Sequence, residues 1–170
     1  RTEGGKEWLR HFFSTPFSDI KKITGTQNIL KKLIEQVDDW PQEISNGTVL
    51  VMIKFLDYAL DTFGINPCCL MAFMYRLLHS ADYSMAKFSV KHFTDFFRGL
   101  KKIETILANV DLPVHFKMYI DRIGHLLSVV EPFKQMAAIE KDDIIPQHKN
   151  LYFAANVRVN YKIEVQELID

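Results

Sequence analysis

The chain is short of cysteine, glycine and proline, and it has no surplus of charge of either sign. Its two cysteines, Cys68 and Cys69, are neighbours. Adjacent cysteines rarely close a structural disulfide, so no disulfide framework is expected and a reducing, cytoplasmic setting is the natural reading. Lysine plus arginine and aspartate plus glutamate each number 21, for a net charge of zero. Nothing in that balance draws the chain onto nucleic acid or an anionic membrane, and any DNA contact has to be local. No apolar run approaches the roughly 18 residues of a membrane span, and no signal-peptide pattern is visible, so no membrane partner is expected. Internal repeats and low-complexity stretches are missing too, so solenoid and disordered-tail readings lose support.

What is present is a globular composition, 48% hydrophobic over 170 residues, enough for one domain with a sizeable core. Between only seven glycines and six prolines the apolar spacing is mostly helical, and the expected fold is all-α, a multi-helix array of long packed helices in a single domain spanning 1–170. A first helix is expected from Thr2, its N-cap, to Ser14, with Trp8, Leu9, Phe12 and Phe13 on one face and Pro16 stopping it. Ser18 or Asp19 caps a second, in which Ile20, Ile23, Leu30, Leu33, Ile34 and Val37 recur at helical steps and Gly25 weakens the middle by about 1 kcal/mol. Pro41 opens a third stretch with Ile44, Val49, Ile53, Leu56 and Leu60. The run CCLMAFMYRLLHSAD is apolar almost all round and is expected to be deeply buried.

A long stripe follows through Met85, Phe88, His92, Phe96, Leu100, Ile103 and Leu107. Another, beginning at Pro113, runs through Phe116, Tyr119, Ile120, Ile123, Leu127, Val130 and Phe133, with Pro132 kinking or ending it. The tail alternates at Leu151, Phe153, Ala155, Val157, Val159 and Tyr161, a strand period that helical spacing also fits; helix is favoured, since a lone strand would leave its edges unpaired. A helical pattern through Val165, Leu168 and Ile169 is still running at Asp170, and the chain is expected to be a fragment of a longer protein.

Catalytic chemistry is thin. Gly4, Gly5 and Lys6 hint at a phosphate loop, yet Glu7 stands where Ser or Thr should bind magnesium and the earlier glycine is missing. His11, His79, His92, His115, His125 and His148 have no zinc-box spacing and are expected to be structural or exposed. Cys68 and Cys69 sit beside Leu70, Met71, Phe73 and Met74, where thiols behave as small buried hydrophobes. The acidic pairs Asp38-Asp39 and Asp142-Asp143 lie near Pro41 and Pro146 and read as helix-end and loop residues. A basic patch of Lys87, Lys91, Arg98, Lys101 and Lys102 is interleaved with Phe88, Phe93, Phe96 and Phe97; it is a candidate nucleic-acid contact, or the wet face of a helix whose core stripe holds Phe88 and Phe96. No catalytic, cofactor-binding or metal-binding residues are assigned, and the chain is not expected to be an enzyme.

The stretch GGKEWLRHFFSTPFSDIKKITGTQNILKKL resembles the start of the core or lever domain of MutS-family DNA mismatch-repair proteins, a pattern of the form T-x-x-G-x-x-x-L-R-x-W/F-L-x-x-P-L-x-D-x-x-x-I. Thr2, Gly5, Leu9, Arg10, Phe12, Phe13, Pro16, Phe17, Asp19, Ile23, Gln27, Leu30 and Leu33 carry the match; Thr26 and Asn28 depart from the family's arginine and aspartate. The resemblance covers about thirty residues. It implies a non-catalytic lever that couples ATP-driven change to DNA binding, with ATP and magnesium held by a neighbouring ATPase domain of a dimeric parent protein. Family members also carry upstream mismatch-reading and connector domains and a DNA clamp among the lever helices. None is visible here, and the stretch from Lys134 to Asn150 is too short for a full clamp, so a divergent or clampless member is implied. Under this resemblance Leu9, Arg10, Phe12, Phe13, Pro16, Ile20 and Ile23 fix the first helix pair as structural residues, and truncating a buried Leu9 or Phe12 should cost about 2 to 5 kcal/mol. The alternative is a stand-alone helical protein-interaction module with a groove lined by Met71, Phe73 and Met74.

Overall fold

The computed structural model describes residues 3–15, 17–58, 64–108, 110 and 112–169; the side chains of Glu3, Gly4, Trp8, Phe12 and His115 are outside the description. The described residues form nine α-helices and no strand. They are α1 (Glu3–Ser14), α2 (Ile20–Glu35), α3 (Asn46–Asp57), α4 (Cys69–Leu78), α5 (Ser80–Leu107), α6 (Val114–Val129), α7 (Glu131–Ala137), α8 (Gln147–Ala155) and α9 (Lys162–Ile169). A 3-10 turn at Val37–Asp39 follows α2, and a π-helical turn at Asn156–Asn160 joins α8 to α9. The all-α array read from the sequence is the observed architecture. None of these helices is long and apolar enough to cross a membrane.

Helix starts follow local chemistry. Asp19 caps α2 by accepting from the Lys21 N–H at 2.8 Å, and Ser45 caps α3 by accepting from the Thr48 N–H at 3.1 Å. Pro132 lies in the first turn of α7, where its missing N–H loses nothing, so it begins a helix rather than kinking one. α2 runs through Gly25 without interruption. The expected N-cap Thr2, the stop at Pro16 and the core position Leu60 lie outside the described residues.

The centre of the fold is α5, which packs against α3, α4, α6, α7 and α8. Its 28 residues span about 42 Å at 1.5 Å per residue. Tyr83, Ala86, Val90, Phe93, Phe97 and Leu100 recur at steps of three and four and are buried. Phe93 meets Phe55 of α3 edge-on at 5.7 Å; Phe97 stacks on Phe133 of α7 at 4.4 Å, and Phe133 in turn meets Tyr161, edge-on at 5.4 Å. Gly99 lets the segment before α3 approach closely: a Cβ there would stand 2.7 Å from Ile44 Cγ1.

The tail is helical, as favoured. Its alternation was misleading because the segment is enclosed on most sides: Ala154 is buried along with Leu151, Phe153, Ala155 and Val157. At the π-helical turn the Tyr161 N–H donates to Asn156 O at 3.0 Å, and Asn156 Nδ2 donates to Tyr152 O at 2.9 Å.

Several burial expectations are overturned. Leu9 is 50% exposed and Phe13 73% exposed, and Arg10, Ile20 and Ile23 are exposed as well, so the first helix pair is not locked by a buried seam; α1 makes only marginal contact with the other described elements. α2 buries Ile29 and approaches the connection before α6 at Gly25, where a Cβ would stand 3.1 Å from Pro113. The side chain of Phe12, and Pro16 as a whole, fall outside what is described. α4 is peripheral: only Ala72 is buried, with Tyr75 half-buried, while Leu70 and Leu78 are 70% and 71% exposed. Finally, the stripe on α5 is rotated from the expected one. Phe96, Leu100 and Leu107 are buried, but Met85 and Phe88 are exposed, because Phe93 and Phe97 take the positions facing α3 and α7.

Phe97→Ala should therefore destabilise the fold by about 3 to 5 kcal/mol in urea unfolding, whereas Leu9→Ala should cost less than about 1 kcal/mol. Equal losses from the two would contradict this placement of the core.

Candidate functional site

The rotation of α5 puts Phe88 on the surface among cations. Lys87, Phe88, Lys91 and Arg98 line one wall of a cleft of about 540 Å³, and the Ile139–Ile145 connection between α7 and α8 forms the other. Of the five basic residues singled out in the sequence, three share this cleft; Lys101 and Lys102 lie farther along α5, outside its lining.

The electrostatics of the cleft are mixed. Arg98 is engaged, its Nη2 donating to Asp95 at 2.5 Å and its Nη1 to Ile139 O at 3.3 Å. Lys101 pairs with Glu104 at 2.6 Å. Facing the lysines across the cleft are Glu140, Asp142 and Asp143, with Lys141 between them. A polyanion entering here meets carboxylates as well as cations in the cleft lining, which opposes its binding. Asp143 is a loop residue, accepting from the Glu140 N–H at 3.2 Å, and Asp38 and Asp39 occupy the 3-10 turn, as read from the sequence.

His92, one turn beyond Phe88, meets that ring edge-on at 4.6 Å. Its Nδ1 is buried without a hydrogen-bond partner, as is Ser89 Oγ. Burial lowers the His92 pKa; Lys91 pushes the same way and Asp95 opposes. Burial also raises Tyr83, against the opposing effects of Arg76 and a hydrogen bond with Asn150, and it raises Tyr152 together with Glu131 and Tyr161.

The larger unexplained surfaces are apolar. On α4, Leu70, Met71, Phe73, Met74, Leu77 and Leu78 are all exposed, and Met71, Met74 and Leu78 line a shallow groove of about 260 Å³ with Tyr75 and His79. On α2, Ile20, Leu30 and Ile34 are exposed. The two faces sit at opposite ends of α5: α4 runs into its start through His79, and α2 touches Pro113, in the connection that follows its end. Groups of exposed large apolar side chains mark interaction sites in folded proteins.

Gly4, Gly5 and Lys6 lie within α1. No group of three or more His, Cys, Asp or Glu positioned to hold a metal occurs among the described residues. Cys68 and Cys69 are exposed, not buried in the α4 run, and stand at its start. Sequence reading missed one juxtaposition: His148, at the start of α8, comes within 3.5 Å of Cys69. No local spacing could signal it, since 79 residues separate them. Comparison with protein-family models, curated proteins and solved structures finds no match to the chain.

A histidine held neutral by burial makes stability pH-dependent with a definite sign. Above the unfolded value of about 6.5 both states are neutral and His92 has no effect; as pH falls below it, the unfolded chain takes up a proton that the folded chain resists, so stability is lost down to the folded pKa. His92→Gln should reduce the stability lost between about pH 7.5 and about pH 5.5 in urea titrations. An identical loss in both proteins would show that His92 is not the group responsible.

Proposed function

We propose that this chain is a non-catalytic lever or core domain of a MutS-like DNA mismatch-repair ATPase, in which it couples ATP-driven conformational change to DNA binding. The structural observation that carries the proposal is the pair of exposed apolar faces, on α2 and α4, at the two ends of the 42 Å spine formed by α5. A lever needs a stiff element with a docking surface at each end, and a packed helical body moves between discrete arrangements rather than deforming continuously. The α2 face belongs to the same stretch whose residue pattern resembles the family's lever.

In this reading ATP and magnesium are bound by a neighbouring ATPase domain, DNA is reached through the parent, and the parent acts as a dimer in the cytoplasm. The basic residues Lys87, Lys91 and Arg98 contribute at most a secondary DNA contact, given the carboxylates across the cleft, and Lys101 and Lys102 lie outside it, with Lys101 paired to Glu104. A second reading, a helical protein-interaction module, draws on the α4 groove with Met71, Phe73 and Met74: methionine-rich apolar surfaces suit an amphipathic helix as partner.

Sequencing the parent gene beyond Asp170 separates the two. A G-x-x-x-x-G-K-[ST] motif following a strand pattern supports the lever, and a stop codon close by supports the interaction module. In a full-length parent, Leu30→Glu and Leu77→Glu, both on exposed faces, should leave the helical fold intact and weaken the DNA dependence of ATP hydrolysis by about fivefold or more. Unchanged coupling in both variants would overturn the lever reading.

A further inference from the structure

Two helix starts that are distant in sequence lie side by side here. Cys69, the first residue of α4, places its Sγ 3.5 Å from Nδ1 of His148 in the first turn of α8. Cys68 precedes it as the N-cap residue, and both thiols are free and exposed. Cys68 and His148 line a cleft of about 310 Å³ with Gln135, Lys149 and Tyr152; among its lining residues the fixed charge is the Lys149 ammonium, and none is a carboxylate. Structural cysteines are enclosed in apolar surroundings and inert, whereas an accessible thiol in contact with an imidazole has a base in place to take its proton.

We propose that Cys69 is a nucleophilic thiol served by His148, and that the pair is a modification site for low-molecular-weight disulfides. The Cys69 proton passes to His148 Nδ1 and the thiolate attacks one sulfur of the incoming disulfide. A new S–S bond joins Cys69 to that half, the original S–S bond breaks, and the departing thiolate leaves with its electron pair and takes the proton from His148. One disulfide is consumed and one formed, so no further oxidant enters. The reverse exchange with excess small thiol restores Cys69.

Cys68 does not resolve the adduct internally. Neighbouring Cα atoms across a trans peptide are about 3.8 Å apart, below the usual disulfide range of about 4.4 to 6.8 Å, and Cys69 is held in the helix. The mixed disulfide is therefore the end product at this site. Because Cys69 adjoins Leu70 and Met71 on the exposed face of α4, an adduct there also places a bulky group at the edge of that surface. Any effect on docking rests on the proposed function, but the thiol chemistry does not.

The test uses the 170-residue chain and dithiodipyridine, a neutral disulfide whose released thiopyridone is followed by absorbance. The Cys68→Ser variant, which keeps Cys69, should react at neutral pH about tenfold or more faster folded than unfolded in urea. In that background His148→Gln should bring the folded rate to within about twofold of the unfolded one. Cys69→Ser should abolish the fast phase and leave only slow reaction of Cys68. Circular dichroism checks that each variant is folded. Equal folded and unfolded rates for Cys68→Ser, a fast phase that persists in Cys69→Ser, or a rate untouched by His148→Gln in a folded protein would each overturn the proposal.

Discussion

The fold depends on one line of rings crossing its middle. Phe55, Phe93, Phe97, Phe133 and Tyr161 are in sequential contact, so that α3, α5, α7 and the segment before α9 share a single aromatic seam. Each ring removes a large apolar area from water, and ring pairs add about 0.5 to 1.5 kcal/mol beyond that area. Four of the five come from phenylalanines that lack polar atoms and are almost wholly buried. The fifth, Tyr161, stands where the seam approaches solvent. With α5 held on several sides in this way, its 28 residues form the packed centre of α3, α4, α6, α7 and α8.

Polar contacts finish what the rings begin. The C-terminal segment reaches back across about a hundred residues to secure the end of α3: Arg158 Nη2 donates to Tyr58 O at 2.5 Å and Lys162 Nζ to Leu56 O at 3.1 Å. These cations serve carbonyls that the end of a helix leaves without partners, and they complement its dipole. Asn156 donates to both Tyr152 O and Ile65 O, binding the π-helical turn to the approach to α4. By contrast the Arg122–Glu167 pair between α6 and α9 is largely solvent-exposed, where ion pairs contribute little.

Against this closed centre stand the surfaces it leaves open. α4 turns six large apolar side chains outward while burying Ala72, and α2 exposes Ile20, Leu30 and Ile34 while burying Ile29. A helix that is apolar all round must hide some face elsewhere or present it to a partner. The same peripheral placement of α4 brings Cys68 and Cys69 into the open beside His148. The proposed lever function and the proposed thiol chemistry thus share one origin, the position of a short helix at the edge of the array.

The sequence by itself determined the class of fold and most of its punctuation. Helical spacing of apolar residues, the Asp19 cap and the scarcity of glycine and proline are local signals, and local geometry obeys them. Even the alternating tail came out helical, because strand pairing had no partner to offer. Which face of each helix is buried was decided only by tertiary structure. On α5 both flanks carry phenylalanine, so periodicity could not choose between Phe88 and Phe93; contact with Phe55 and Phe133 chose. On α4 and α1 the sequence specified apolar faces but not what covers them, and the helices of this chain leave Leu9, Phe13 and Leu70 exposed. The meeting of Cys69 with His148 was illegible for the same reason: proximity across 79 residues is a property of packing, which no local spacing encodes.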